Sequence, residues 1–260
     1  MLYSPNDLPH TYRMRTDIVN LRQFYSSRLG RKVKHRLRQV MRDVGPVLAN
    51  DAVVGVGYAI PLLRDMEHKA PCAMVALMPV SQGAIYWPVH LENRSVLADE
   101  LRPPFAPSSL GRVVMLHALE HVMQPDELLR IYWQLLAPGG RLLLLVPNRH
   151  GLWASMGATP FASGTPYTLA KMKELLREAD FTLRESTSAM FTPPSSHPLW
   201  LHAWRVMEWL GRWLFPRFGG VLVIEAEKQI YAGIREPAVA AKRKQHWSAQ
   251  PSAALNKTNV

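Results

Sequence analysis

The sequence predicts an α/β fold, a parallel sheet covered by helices on both faces. Three observations carry that prediction. Val53-Val54-Gly55-Val56-Gly57-Tyr58 is an apolar strand that runs into a glycine turn. His117-Ala118-Leu119-Glu120-His121 is a polar cluster at the end of another apolar strand. Leu136-Ala137-Pro138-Gly139-Gly140 reads as a helix stop leading into a third apolar run, residues 141–146. Continuous apolar strands that alternate with helical segments belong to parallel sheets buried on both sides. A glycine turn after the first strand lets a ligand approach the backbone closely. The pattern therefore points to a nucleotide-like cofactor at the carboxyl edge of the sheet.

Each element follows from its local pattern. Residues 15–43 read as helix, because Ile18, Leu21, Tyr25, Leu29, Val33, Leu37 and Val40 recur at helical spacing. Gly30 is a candidate break in it, and Thr16 or Asp17 a candidate cap. Residues 52–56 form the first strand, and 60–66 a helix with Pro61 in its first turn. Residues 72–78 form a second, wholly apolar strand, followed by a loop over 79–88. A short third strand spans 95–97, near Asp99, and a fourth spans 112–116. A helix over 126–136 stops at Pro-Gly-Gly, where glycine supplies the left-handed conformation. A fifth strand spans 142–146, then a loop over 147–166, long enough to be functional or mobile. A helix over 168–179, with Thr165 or Thr168 as cap, leads to a sixth strand over 181–186. A Trp-rich helix over 200–215 and a last strand over 221–231 follow, and residues 235–260 have a disordered composition.

Composition narrows the possibilities. The chain has 260 residues, 48% of them hydrophobic, which is ample for a buried core. Cys72 is the lone cysteine, which excludes an internal disulfide and fits a reducing, cytoplasmic compartment. The first residues lack a basic stretch followed by an apolar run, so no signal peptide is expected. No run reaches the roughly 18 apolar residues of a membrane span. The net charge of +11 is unevenly spread: residues 1–48 hold 10 Lys/Arg against 3 Asp/Glu, 235–260 hold 5 against 1, and 49–234 hold 16 against 16. The body is neutral, so any nucleic-acid contact falls on the two basic ends.

Taken in order, the glycine turn, Asp99, the His-Ala-Leu-Glu-His stretch and Pro-Gly-Gly resemble the class I S-adenosylmethionine-dependent methyltransferases, of the broad methyltransferase type 11 kind, over residues 48–190. The resemblance implies a Rossmann-like seven-stranded sheet in the order 3-2-1-4-5-7-6, its last strand antiparallel. With the charge and composition of the two ends, three parts are expected: a basic helical extension over 1–47, a methyltransferase-like domain over 48–234, and a disordered basic tail over 235–260. The resemblance also implies S-adenosyl-L-methionine as cofactor, held by Gly55, Gly57, Tyr58, Met78, Asp99, Glu100, Leu101, His117 and Ala118. Two acids of the family pattern are replaced. Val53 stands where an acid precedes the glycines, and the second strand ends Ala76-Leu77-Met78-Pro79 without the acid that binds the ribose hydroxyls. Ala59 replaces the third glycine. Charge-assisted hydrogen bonds to two hydroxyls are worth about 1.5–3 kcal/mol each, so their loss weakens cofactor affinity by about one to two decades.

Several residues carry two readings. Gly55 and Gly57 serve a cofactor or only a tight turn. Tyr58 packs over the methionine portion or fills that turn, and Asp99 contacts adenine or is a solvated loop acid. His117 and His121 are candidate proton acceptors for an oxygen or nitrogen nucleophile, with His121 alternatively only ordering its loop. Their spacing suits a metal only on a helix, and no third ligand is at hand, so no metal is expected. Asn148 and Arg149 would hold a polar or anionic substrate group and Trp153 would wall the pocket, in a loop that looks like a lid or merely covers the core. The Trp-rich helix packs on the sheet or on a partner subunit, shapes an apolar pocket, or lies at a membrane surface. The basic helix over residues 28–42 is a solvated face, or contacts RNA or an acidic membrane.

The expected activity is direct methyl transfer to a small or partly apolar acceptor. The alternatives are a catalytically inactive scaffold that keeps the fold, supported by Val53 and Met78, and an RNA methyltransferase that uses the basic ends. Against the last stands the absence of an Asn/Asp-Pro-Pro-Tyr/Phe motif. A nicotinamide dehydrogenase is disfavoured, since the third glycine and an acid about 20 residues on are both missing.

Overall fold

The structure, a computed structural model, describes residues 15–43, 52–67, 73–156 and 159–229. The expectations for Cys72, the chain's first residues, the end of the last strand at Tyr231 and the tail from residue 235 lie outside the described residues. Two helices, α1 (Ile18–Ser26) and α2 (Arg28–Asp43), precede β1 (Val53–Gly57), α3 (Ile60–Glu67), β2 (Met74–Pro79) and β3 (Ser95–Ala98). β4 (Leu110–Leu116), α4 (Pro125–Leu135) and β5 (Leu136–Pro147) follow, then α5 (Leu169–Glu178), β6 (Phe181–Ala189), α6 (Pro198–Leu214) and β7 (Val221–Lys228).

The seven strands form one sheet in the order β3-β2-β1-β4-β5-β7-β6. β1, β2, β3, β4 and β5 run parallel, and β7 is antiparallel to both β5 and β6. Alternation along the strands splits the core into two layers. Val53, Met74, Val114, Leu116, Leu143 and Val223 face α1, α2, α3 and Trp204 of α6. Val54, Val56, Leu77, Val113, Met115, Leu144 and Ile224 face α4 and α5. The register sets Gly57 beside Leu116, so β1 and β4 end together at the carboxyl edge.

Three local expectations are corrected. The N-terminal helix breaks at Ser27 rather than at Gly30, and the Ser27 hydroxyl accepts from Gly30 N at 3.0 Å. Gly30 is needed because a Cβ there would collide with the backbone of Phe24 and Tyr25. Asp17 sits at the N-cap position of α1 without a side-chain cap bond. Pro138-Gly139-Gly140 does not stop the preceding helix, because α4 ends at Leu135 and β5 begins at Leu136. The three residues form an excursion within β5, where the pairing slips between Leu110↔Leu136 and Arg112↔Arg141. Of the two candidate caps for α5, Thr168 is the one that accepts, from Lys171 N at 3.2 Å.

α6 is oriented by a buried carboxylate. Glu208 accepts from the backbone N–H groups of Met190, Phe191 and Thr192 at 3.2, 2.6 and 3.2 Å, and from Arg36 Nε of α2 at 2.8 Å. The same helix buries Trp204 edge-on against Trp153, with ring centroids 6.4 Å apart.

Two left-handed glycines give a contrast that urea denaturation can measure. Gly57 (φ +77°) turns β1 into α3, and a Cβ there would press on the Leu116 and His117 carbonyl oxygens; Gly139 (φ +74°) has open space around it. Gly139→Ala therefore costs about 1 kcal/mol from the conformation alone, whereas Gly57→Ala costs about 2–4 kcal/mol because steric collision adds to strain.

Candidate functional site

The carboxyl edge between β1 and β4 is built by short-range constraints. Gly55 has no room for a side chain, since a Cβ would lie 2.7 Å from both Ala59 Cβ and Leu63 Cδ1, and this lets α3 pack closely on β1. At Gly57 the turn abuts the end of β4, and Tyr58 N donates to Leu116 O at 2.8 Å. Packing of the protein on itself thus accounts for both glycines.

β4 ends with His117 in the left-handed region (φ +55°), followed by one 3-10 turn over Leu119–His121. A non-glycine residue rarely holds that conformation unless its surroundings fix it. Here they do. Glu120 Oε1 lies 3.2 Å from His117 Nδ1, and Tyr25 Oη of α1 lies 2.9 Å from His117 Nε2. All three side chains are buried. Burial pushes the Glu120 carboxyl up, but the hydrogen bond from His117 and electrostatic attraction to the His121 and His117 rings outweigh it and hold Glu120 below the usual carboxylate value. A carboxylate only accepts, so Nδ1 carries the proton, and in the neutral imidazole Nε2 accepts from the Tyr25 hydroxyl. Burial, with Tyr58 and Glu120 adding to it, raises the Tyr25 phenol well above its ordinary value, so it stays protonated.

Tyr25 also stacks on Tyr58, with centroids 5.4 Å apart and planes 28° apart, and the Phe161 ring lies 4.6 Å from that of His117. Arg15 works beside it. Its Nη2 donates to Glu100 Oε1 at 2.6 Å and lies 3.4 Å from Ala118 O. Burial raises the Glu100 carboxyl, partly offset by Arg15. Asp99 accepts from Leu101 N at 2.9 Å, and Leu101 packs against the second core layer. Met78 is fully buried, and its sulfur accepts from Ile85 N at 3.3 Å, so it turns away from the edge to hold the following loop.

Of the nine residues expected to hold a cofactor, Tyr58, Glu100, His117 and Ala118 are brought to one place, joined by Arg15 and Tyr25. Arg15 and Tyr25 make their hydrogen bonds to Glu100, Ala118 and His117 there. Polar atoms without a protein partner remain buried at the same edge: both amide atoms of Gln82, Glu120 Oε2, and both ring nitrogens of His121. Gln82 lies under the N-terminal segment, its carbonyl accepting from Ile18 N at 2.9 Å. Such atoms are the donors and acceptors that a polar ligand or water satisfies.

The expected substrate residues do not converge. Trp153 is core: its ring packs against Gly220, Phe161 and Trp204, and its Nε1 donates to Thr192 O at 2.7 Å. Asn148 is buried, and its amide donates to Arg217 O and Gly219 O at 2.9 and 2.7 Å, tying the loop to the start of β7. Arg149 is exposed, and its backbone N–H donates to Tyr167 O at 2.9 Å. In the stretch after β5, Trp153, Phe161 and Tyr167 are all buried. Among the described residues, no three His, Cys, Asp or Glu side chains gather as a metal site requires.

A cavity of about 530 Å³ opens on the other side of Tyr25 and Tyr58. Arg22, Lys34, Arg64 and the rings of Tyr25, Tyr58 and Trp87 line it, with no carboxylate among the described residues of its walls. Burial lowers the Lys34 ammonium, and repulsion from Arg38, Arg64 and Arg31 lowers it further. Sequence reasoning missed Arg15, Tyr25, Gln82 and this cavity. Periodicity marked Tyr25 as core-facing but did not reveal its partner.

Comparison with known proteins agrees with this fold. Residues 55–186, about half of the chain, match the family model described as a methyltransferase domain. The chain belongs to that family, of the class I S-adenosylmethionine-dependent kind. Among solved structures it is similar to an S-adenosylmethionine-dependent methyltransferase from Thermotoga maritima, described as a possible histamine N-methyltransferase, at 14% identity and TM-score 0.54 over 82% of this chain and 96% of that one. It is similar to a methyltransferase of the same cofactor class from Archaeoglobus fulgidus, at 18% identity and TM-score 0.53 over 79% and 96%. It is also similar to a geranyl diphosphate methyltransferase in complex with GPP and sinefungin, at 14% identity and TM-score 0.54 over 85% and 90%. At such identities the likeness is one of fold. No curated protein matches in sequence.

His121 gives the site a measurable pH dependence. Burial lowers its imidazole from 6.5 to about 4, against the pull of Glu120. The unfolded chain therefore binds a proton in the window from about 6.5 down to about 4 that the folded chain does not, and stability falls as pH falls through it. Between pH 7 and pH 5 this group alone removes about 2 kcal/mol. Urea denaturation at the two pH values reads the loss, and His121→Phe shows that much less of it.

Proposed function

We propose that this chain is an S-adenosylmethionine-dependent methyltransferase whose cofactor cleft is closed by its own N-terminal segment, acting on a small, partly apolar acceptor. The observation that carries this reading is the match of contacts. Arg15 and Tyr25 engage Glu100, Ala118, Tyr58 and His117, the residues that the family resemblance gives to the cofactor. The unpartnered amide of Gln82 and carboxylate oxygen of Glu120 at the same edge support a polar ligand there. The cofactor of the class supplies an activated methyl on a sulfonium. The three cations beside Tyr58 disfavour a sulfonium in their cavity, and they suit instead an acceptor that carries an anionic group.

The chain's own residues supply orientation and proton handling. Glu120 fixes the tautomer and direction of His117, and His117 Nε2 already accepts from a hydroxyl, that of Tyr25. An acceptor hydroxyl at that position would pass its proton to the same nitrogen. His121, held near pKa 4, is a weak proton acceptor at neutral pH and orders the turn. Asn148, Arg149 and Trp153 keep structural roles in this reading. The described part of the N-terminal segment, residues 15–43, acts as a cover on the sheet edge. A cytoplasmic location rests on the sequence alone; among the described residues no helix is long and apolar enough to cross a membrane.

A second reading is a non-catalytic member of the family. It is favoured by Val53 and Met78 in place of acids, with Met78 committed to the backbone of Ile85. Calorimetry with S-adenosylhomocysteine separates the two. The full chain binds in the high micromolar range or weaker, and Tyr25→Ala binds about tenfold more tightly, a gain of about 1.4 kcal/mol. If neither protein binds at about 5 mM ligand while both remain folded by circular dichroism, the non-catalytic reading stands. RNA methylation through α2 would instead show as RNA binding that falls steeply with salt.

A further inference from the structure

α6 is amphipathic the wrong way round for a helix that only covers a sheet. Its inward side is set by Trp204, buried against Trp153, and by Glu208, buried and held by Arg36 and three backbone N–H groups. The opposite side carries Leu199, Val206, Trp209 and Trp213, spaced so that they fall on one stripe of a helix. All four are exposed, Trp209 and Trp213 at 66% and 74%, and the stripe continues past the helix end into exposed Phe215 and Phe218. Isolated exposed apolar residues are ordinary, but a contiguous row with two largely exposed tryptophans marks a contact surface.

Charge says what kind of surface covers it. Glu208 is the only carboxylate between residues 198 and 220, and it is buried. The exposed charges on the helix and the turn after it are Arg205, Arg212 and Arg217, all positive. Through Arg36 the helix is tied to α2, whose Arg28, Arg31 and Lys32 are exposed as well. A second copy of the same chain docked face to face would set these cations against their own counterparts, and the helix and its turn carry no exposed acid to meet them. A bilayer with anionic headgroups meets both requirements: tryptophan and phenylalanine favour the interfacial zone, arginine the headgroup phosphates. At 17 residues the helix is about 25 Å long, the size of an element that lies in the plane of the interface.

We propose that the outward face of α6, with the turn through Phe218, docks the protein peripherally on an anionic lipid surface. The test is flotation of the full chain with vesicles of phosphatidylcholine containing about 30% phosphatidylglycerol, beside vesicles of phosphatidylcholine alone. The chain co-floats with the anionic vesicles, binds the neutral ones at least about tenfold more weakly, and loses affinity as salt rises. The double substitution Trp209→Glu and Trp213→Glu lowers partitioning at least about tenfold. Both side chains point outward, so the circular dichroism spectrum and urea midpoint stay at the wild-type values. Absence of flotation at low salt overturns the proposal, as does flotation that the double variant leaves unchanged. A dimer in light scattering that the double variant converts to monomer also overturns it, and assigns the face to a second copy.

Discussion

Four carboxylates are buried among the described residues, Glu225 beside Arg141 and three others that tie in the N-terminal segment, and a buried carboxylate is costly unless cations or N–H groups meet it. Glu100 is met by Arg15, Glu120 by His117, and Glu208 by Arg36 together with the backbone before α6. Two of those partners stand on or just before the N-terminal helices, and the third, His117, is fixed in turn by Tyr25 of α1. The N-terminal segment is therefore bolted to the methyltransferase-like body at three points. The Leu21, Leu29, Val33 and Leu37 side chains complete the attachment within the same apolar layer as Val53 and Met74. Removing any one partner would leave a charge in a low-dielectric interior, which makes this pairing hard to lose piecemeal.

The same constraint explains how the edge of the sheet differs from that of a plain ligand cleft. His117 and His121 stand on one 3-10 turn yet have separate fates. His117 finds a carboxylate on one nitrogen and a hydroxyl on the other, while His121 finds no hydrogen-bond partner and is pushed toward neutrality by burial. Proximity in sequence set both at the carboxyl end of β4; only the ring environments separate an imidazole held on both nitrogens from one without hydrogen-bond partners.

The parts of the fold that depend on neighbours in sequence were legible. Apolar runs located the strands, Thr168 was readable as a cap, and the resemblance carried the strand order that the sheet adopts. The parts that depend on distant partners were not. Arg15 and Glu100 are 85 residues apart and Tyr25 and His117 are 92 apart, and helical periodicity reports only that Tyr25 faces inward. Trp153 read as a pocket wall because it follows a strand at the ligand edge, whereas close packing against Gly220 and Trp204 makes it core. Pro138-Gly139-Gly140 read as a helix stop because a left-handed glycine is common there, but an excursion within a strand uses the same conformation.

Ser27 acquires its meaning from what lies on either side of it. Behind it, α2 is pinned by Arg36 to α6 and by a continuous apolar face to the sheet. Ahead of it, α1 is nine residues long and carries both Arg15 at its approach and Tyr25 near its end. That single extended residue sets the direction in which α1 crosses to the β1–β4 edge. The course of α1 over that edge is thus set in the chain one residue before α2 begins.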